Sequence, residues 1–138
     1  IIIKNSDIIK QVYKNTNWAG ARDIPPVYIA VLINAQRVSK WGVIRDVGAA
    51  VENILLAGYA NNLGACWIAA ADMDKIKKVL NLDEKYTVDS LIAIGYPDEK
   101  SVTEDLDTET KYWKDDKNIT HVPKRPLEKI LIIKDGKA

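Results

Sequence analysis

Apolar residues along this chain fall into blocks whose period changes from one segment to the next. Residues 1–4 open on three isoleucines and read as a strand. Asn5, Ser6 and Asp7 then offer side-chain oxygens that can take the free amides of a first helical turn. Ile8, Ile9, Val12 and Tyr13 follow at helical spacing, so a short amphipathic helix is predicted over 7–14. A loop with Trp18 and Gly20 comes next, and Pro25 and Pro26 stop any helix. The run Val27, Tyr28, Ile29, Ala30, Val31, Leu32, Ile33 is continuous and rich in β-branched residues. That pattern predicts a strand buried on both faces. A loop containing Trp41 and Gly42 is expected over 34–45.

The next segment, 46–59, breaks the amphipathic rule. Val47, Ala50, Val51, Ile54 and Leu55 make one apolar stripe, but Ala49, Leu56 and Ala57 spread over the other faces. Only Asp46, Glu52 and Asn53 are plainly polar. A surface helix normally shows one apolar stripe about 100° wide, so this one needs cover on nearly every side. A chain of 138 residues struggles to supply that alone, and a partner subunit is expected over part of it.

Asn61, Asn62, Leu63 and Gly64 end the helix, with Asn or Gly able to take the left-handed cap position. A short strand is predicted over 65–68. Asp72 is positioned to cap a helix carrying Met73, Ile76, Val79 and Leu80. A further strand is predicted over 86–94, closed by Gly95, Tyr96 and Pro97. From 98 to 122 acids dominate and periodicity fades; this reads as a long arm that docks through Tyr112 and Trp113. A last strand is predicted over 127–134. Helices on both sides of one sheet make a three-layer α/β/α sandwich of α+β class, in one domain over 1–138.

Composition narrows the classes of function. Net charge is +1, with 47% hydrophobic and 28% charged residues, so no global field points to nucleic acid or an anionic membrane. No apolar run is long enough for a membrane span. The lone Cys66 rules out an internal disulfide and points to a reducing, cytoplasmic compartment. The chain begins inside an apolar run with no Met, and residues upstream of Ile1 are expected.

Candidate chemistry is sparse. His121, the single histidine, reads as a solvated loop residue. Cys66 sits in an apolar strand, where a thiol is inert. Asp72 and Asp74 look like cap and first-turn acids. Neither GxGxxG nor GxxxxGK[ST] occurs. Lys124 and Arg125, braced by Pro123 and Pro126, remain as a cationic pair. They are either a solvated basic spot or a grip for phosphate oxygens, which an Arg fork meets bidentately.

Four motifs in order carry a family resemblance: Asp46-x-Gly48-Ala49-Ala50-x-x-Asn53-x-Leu55-Leu56-Ala57; Leu63-Gly64-Ala65-Cys66-Trp67-Ile68; Leu91-Ile92-Ala93-Ile94-Gly95-Tyr96-Pro97; and Lys124-Arg125-Pro126-Leu127-Glu128. Together they resemble the FMN-dependent nitroreductases. The resemblance implies a homodimer with FMN at the subunit seam. It further implies hydride transfer from NAD(P)H through the flavin to nitroaromatics, quinones or similar small-molecule acceptors, by ping-pong turnover. The helix over 46–59 would lie in the dimer core, and the C-terminal arm would reach the partner, its last strand joining the partner's sheet. Trp67, Ile68, Ala69 and Ala70 resemble the segment that lines the isoalloxazine, and Lys124 and Arg125 resemble the cations that hold the FMN phosphate. No catalytic side chain and no metal ligand are implied.

Two departures stand out. The pair Ala69-Ala70 replaces the Gly or Glu common in the family. The family's N-terminal Arg-rich segment and its following Pro-Trp segment, which carry many flavin contacts, are absent from these residues. The alternative is therefore a non-catalytic or flavin-free dimeric domain of the same fold.

Overall fold

The computed structural model describes residues 1–17, 23–37, 39 and 41–132. The predicted loop around Trp18 and Gly20, and the end of the predicted last strand, lie outside the described residues. The chain divides into two compact units, Ile1–Tyr96 and Pro97–Ala138.

The first unit is built on four antiparallel strands. They are β1 (Ile2–Ile3), β2 (Val27–Asn34), β3 (Gly64–Ile68) and β4 (Tyr86–Gly95), in the order β1-β2-β4-β3. Helices α1 (Ser6–Tyr13) and α3 (Met73–Val79) cover one face, and α2 (Val43–Ala60) covers the other. Alternation along the strands sorts the side chains between the layers. Tyr28, Ala30, Leu91 and Ala93 pack with Ile9, Val12 and Ile76. Ile29, Val31, Ile92 and Ile94 pack with Val47 and Val51. This is the three-layer sandwich the pattern predicted. A register shift between Val31 and Leu32 lets Val88 and Leu91 face the same layer, although they are three residues apart. A bulge has that effect because one extra residue resets the alternation.

Local signals place the helix ends. Asn5 Oδ1 accepts from the amides of Asp7 (3.0 Å) and Ile8 (3.1 Å) at the start of α1. At the end of α2 the Asn62 backbone is left-handed (φ 56°). Leu63 N–H donates to Gly58 O and Asn62 N–H to Tyr59 O, both at 3.0 Å. That pair of bonds is a Schellman cap, which satisfies the last carbonyls. Gly58 is buried, and a Cβ there would sit 3.5 Å from the Ala65 Cβ, so α2 rests closely on β3.

Four expectations can be set against the structure, and three of them need correction. First, α2 begins at Val43, about one turn before Asp46; Asp46 N–H already donates to Gly42 O at 3.0 Å. The acid is a first-turn residue, favoured there by the helix dipole. Second, in keeping with the expected need for outside cover, α2 has its own chain on one side only. Val47, Val51 and Gly58 are buried, whereas Ile44, Leu56 and Tyr59 are 80%, 57% and 82% exposed.

Third, 98–122 is no unstructured arm. It contributes to a three-stranded sheet, β5 (Ser101–Asp105), β6 (Trp113–Lys114) and β7 (Thr120–Lys124), in the order β5-β7-β6. Pairing of β5 with β7 is parallel and of β6 with β7 antiparallel. Pro123 argues against a central strand, yet it fits. Thr120 N–H donates toward β5, to Lys100 O, so Pro123's missing N–H faces the other side, where the two-residue β6 has already ended. Fourth, the predicted last strand is a single helical turn, α4 (Leu127–Ile130), with Leu131 N–H donating to Leu127 O at 2.9 Å. Among the described residues no strand lies beside 127–132, and an unpaired backbone meets its own carbonyls by turning helical.

Candidate functional site

The residues that follow β3 form an exposed, small-residue platform held on a stiff base. Ladder pairing with β4 fixes Trp67 opposite Ile92 and Ile68 opposite Leu91. Ile68 is buried, whereas Trp67 is 46% exposed and Ala69 and Ala70 are exposed. The chain leaving α1 stitches the next residues in place. Asn17 N–H donates to Ala70 O at 2.7 Å, and Asp72 N–H to Asn15 O at 2.8 Å. Thr16 and Ala71 form an isolated bridge between them. Asp72 then caps α3, its carboxylate accepting from Lys75 N–H at 3.0 Å. Among the described residues the amides of Ala69 and Ala70 have no hydrogen-bond acceptor. Two unspent N–H groups on a rigid, open main chain, with methyl side chains, let a flat ligand approach closely and accept from the backbone.

Beneath the platform lie groups that do no exposed chemistry. Cys66 is half-buried on the α1/α3 face, and burial pushes its thiol up. Tyr28 is fully buried, its hydroxyl has no hydrogen-bond partner among the described residues, and burial first, with Tyr13 and Cys66 adding, raises it to about 12. Both stay protonated at neutral pH, so the inert reading of Cys66 holds.

Lys124 ends β7 in the second unit, and Arg125 follows it. Arg125 is 59% exposed and its Nε lies 3.9 Å from Asp107 Oδ1. Lys124 pairs in register with Asp105. The cations therefore stand next to acids of their own unit, in a geometry loose enough to turn outward. Residues 67–70 belong to the first unit and Lys124 and Arg125 to the second.

His121 departs from the solvated-loop reading. It sits in β7, pairs with Trp113 across β6, and stacks on that indole at 5.0 Å between centroids and 8° between planes. Its Nδ1 is 2.6 Å from Glu104 Oε1 and its Nε2 is 3.5 Å from Asp115 Oδ2. The Glu104 contact first, then Asp115, pushes the imidazole up against the opposing effect of burial. Spacing could have hinted at this cluster, because Glu104, Trp113, Asp115 and His121 share one sheet face, but only once three polar strands are recognised as strands. Among the described residues no group of His, Cys, Asp and Glu is arranged to hold a metal ion, and no helix is long and apolar enough to cross a membrane.

The Nitroreductase family signature matches residues 4–96, well over half of the chain. The chain belongs to the nitroreductase family and has its α+β fold. Over 113 residues it is 26% identical to an Archaeoglobus fulgidus protein provisionally named NADH dehydrogenase/NAD(P)H nitroreductase. That match takes in 75% of this chain and 64% of the relative, so the chain spans less than two thirds of that relative's length. A Desulfovibrio desulfuricans protein, provisionally named a nitroreductase and crystallised with FMN, superposes with a TM-score of 0.71 at 20% identity, over 99% of this chain and 72% of that one. An FMN-dependent nitroreductase from Clostridium difficile R20291 gives a TM-score of 0.63 at 23% identity, over 72% and 63%.

Proposed function

We propose that this chain belongs to an FMN-dependent oxidoreductase that works as a homodimer. It would pass hydride from NAD(P)H to nitroaromatic, quinone or similar acceptors. The observation that carries the reading is the platform after β3: a stiff, exposed main chain with small side chains and two amides, at Ala69 and Ala70, that find no acceptor among the described residues. Such amides suit an acceptor nitrogen at the edge of a flat ring. Family membership and relatives named for FMN and NAD(P)H support the same reading.

When bound, FMN supplies the redox chemistry, and the protein supplies position and electrostatics. In this chain Trp67 and Ile68 anchor the platform to the sheet, and Ala69 and Ala70 leave room for the ring. Lys124 and Arg125 offer charge-assisted bonds to a phosphate, each about 1.5–3 kcal/mol. Arg125 exchanges its Asp107 contact for that ligand. No side chain of the platform is a general acid, so the acceptor's proton would come from water or from substrate.

Flavin fluorescence titrated with the purified protein tests this. FMN binds, and riboflavin, which lacks the phosphate, binds more weakly. Arg125→Gln weakens FMN by about 10- to 100-fold, the equivalent of one such bond, and leaves riboflavin unchanged. A protein that takes up no FMN and oxidises no NADH or NADPH with a quinone refutes the proposal and leaves the flavin-free dimeric domain.

A further inference from the structure

We propose that His121 is a pH-operated clasp of the second unit's sheet: as an imidazolium it ties Glu104 of β5 to Asp115 beyond β6, and it releases that tie on losing its proton. The argument starts from two nitrogens and two carboxylates. Nδ1 lies 2.6 Å from Glu104 Oε1, and Nε2 lies 3.5 Å from Asp115 Oδ2. A neutral imidazole carries one N–H and one lone pair. With the proton on Nδ1, the Nε2 lone pair faces the Asp115 carboxylate, and Nε2 is buried with no other partner among the described residues. With the proton on Nε2, the lone pair faces Glu104 at the shorter distance. Only the cation gives each carboxylate a donor. The Trp113 indole stacked at 5.0 Å adds a π face, which also favours a cation.

The facing groups are few. Glu104 comes from β5, Trp113 from β6 and Asp115 from the turn after it. On the opposite sheet face Glu99 has its own partners, Lys114 Nζ at 3.1 Å and Thr120 Oγ1 at 3.2 Å. Asp115 also holds its turn, accepting from the amides of Lys117 and Ile119. Because β6 pairs through two residues only, the His121 tie is a large part of what fastens it. The carboxylates raise the imidazole above its ordinary 6.5, with Glu104 the larger cause. Folding stability from the clasp is therefore complete below 6.5 and fades as pH climbs through the folded value.

His121 is the sole histidine, so its ring proton signals identify themselves in NMR spectra of the whole chain. They should titrate above 6.5 in the wild type. Glu104→Gln and Asp115→Asn each bring the midpoint back toward 6.5, the latter while keeping an oxygen for its turn. Hydrogen exchange over 113–124, corrected for intrinsic rates, gives the structural readout. Protection falls across the same titration, by about tenfold for each unit the midpoint stands above 6.5, and His121→Gln abolishes that pH dependence. A wild-type midpoint at or below 6.5 overturns the proposal. So does the same pH-dependent loss of protection in His121→Gln. Should His121→Gln fail to fold, Glu104→Gln carries the exchange comparison.

Discussion

At the scale of single residues, most of what could be read in advance was capping, because a cap needs only one side chain and the amides beside it. Asp72 is the clearest case. Its Oδ1 accepts from Lys75 N–H at 3.0 Å and its Oδ2 lies 2.9 Å from Lys75 Nζ. The Lys75 backbone amide, followed by its side chain, holds the Asp72 carboxyl below its ordinary 3.8. A depressed folded value means stability is present above 3.8 and is lost as pH falls through the folded value. Asp72→Ala should therefore lower the urea midpoint at pH 7, and the difference from wild type should shrink toward pH 3. Asp72→Asn, which keeps an accepting oxygen, should retain most of the stability at pH 7, and the wild type should fall relative to it by the same amount toward pH 3, because Asn does not titrate. Equal losses for the two variants at pH 7 would mean that the cap does not hold α3. His121 was illegible at this scale, since its partners lie 6 to 17 residues away in sequence and meet it only across strands.

At the scale of elements, legibility followed apolar content. Strands β2, β3 and β4 and helices α1 and α3 announce themselves because their side chains must leave water, and that requirement imprints a period. The second unit's strands do not. Their pairing is filled by Thr120, Glu99 and Lys114 on one face and by His121, Glu104 and Trp113 on the other, so no alternation of apolar residues marks them. The run Ile130, Leu131, Ile132 erred the other way: β-branched composition suggested a strand where the chain forms a turn, and those residues stay 59%, 53% and 83% exposed. The site divides likewise. The strand that leads into 67–70 was readable from its apolar run, but the role given to those residues rests on a family resemblance, and the split of 67–70 and Lys124–Arg125 between two units was not legible. A core test belongs here. Ile92 is fully buried on the central strand β4, beneath α2 with Val47 and Val51. Ile92→Ala removes packed methyl groups and leaves a cavity, costing about 2–5 kcal/mol. Chemical denaturation should show that loss with an unchanged m-value; a loss below about 1 kcal/mol would mean that α2 does not seal that face.

At the scale of the whole molecule, the unresolved demand is α2. Counting 100° per residue, Tyr59, Leu56, Ala49 and Ala60 fall within roughly 100° of arc on the side away from the sheet, and all four are exposed. Arg45 and Glu52 share that arc, so it is an apolar surface with one charge of each sign. Fully burying Leu or Tyr side chains is worth about 1.5–3 kcal/mol each, and a two-fold axis would count every such burial twice. Those magnitudes favour association over leaving the arc in water, and they give the proposed homodimer a physical cause that does not depend on the flavin. A carboxylate placed there would have to lose its water on association. Leu56→Glu and Tyr59→Glu should each convert a dimer to a monomer at micromolar concentration in sedimentation velocity. Neither should alter the far-ultraviolet circular dichroism, because both side chains already stand clear of their own chain's core. Asn53→Asp, on the same helix but at the margin of that arc, is the control and should shift the mass far less. If the wild type sediments as a monomer at tens of micromolar, the exposed arc has some other cover and the dimer reading of α2 is wrong, whatever the protein does with FMN.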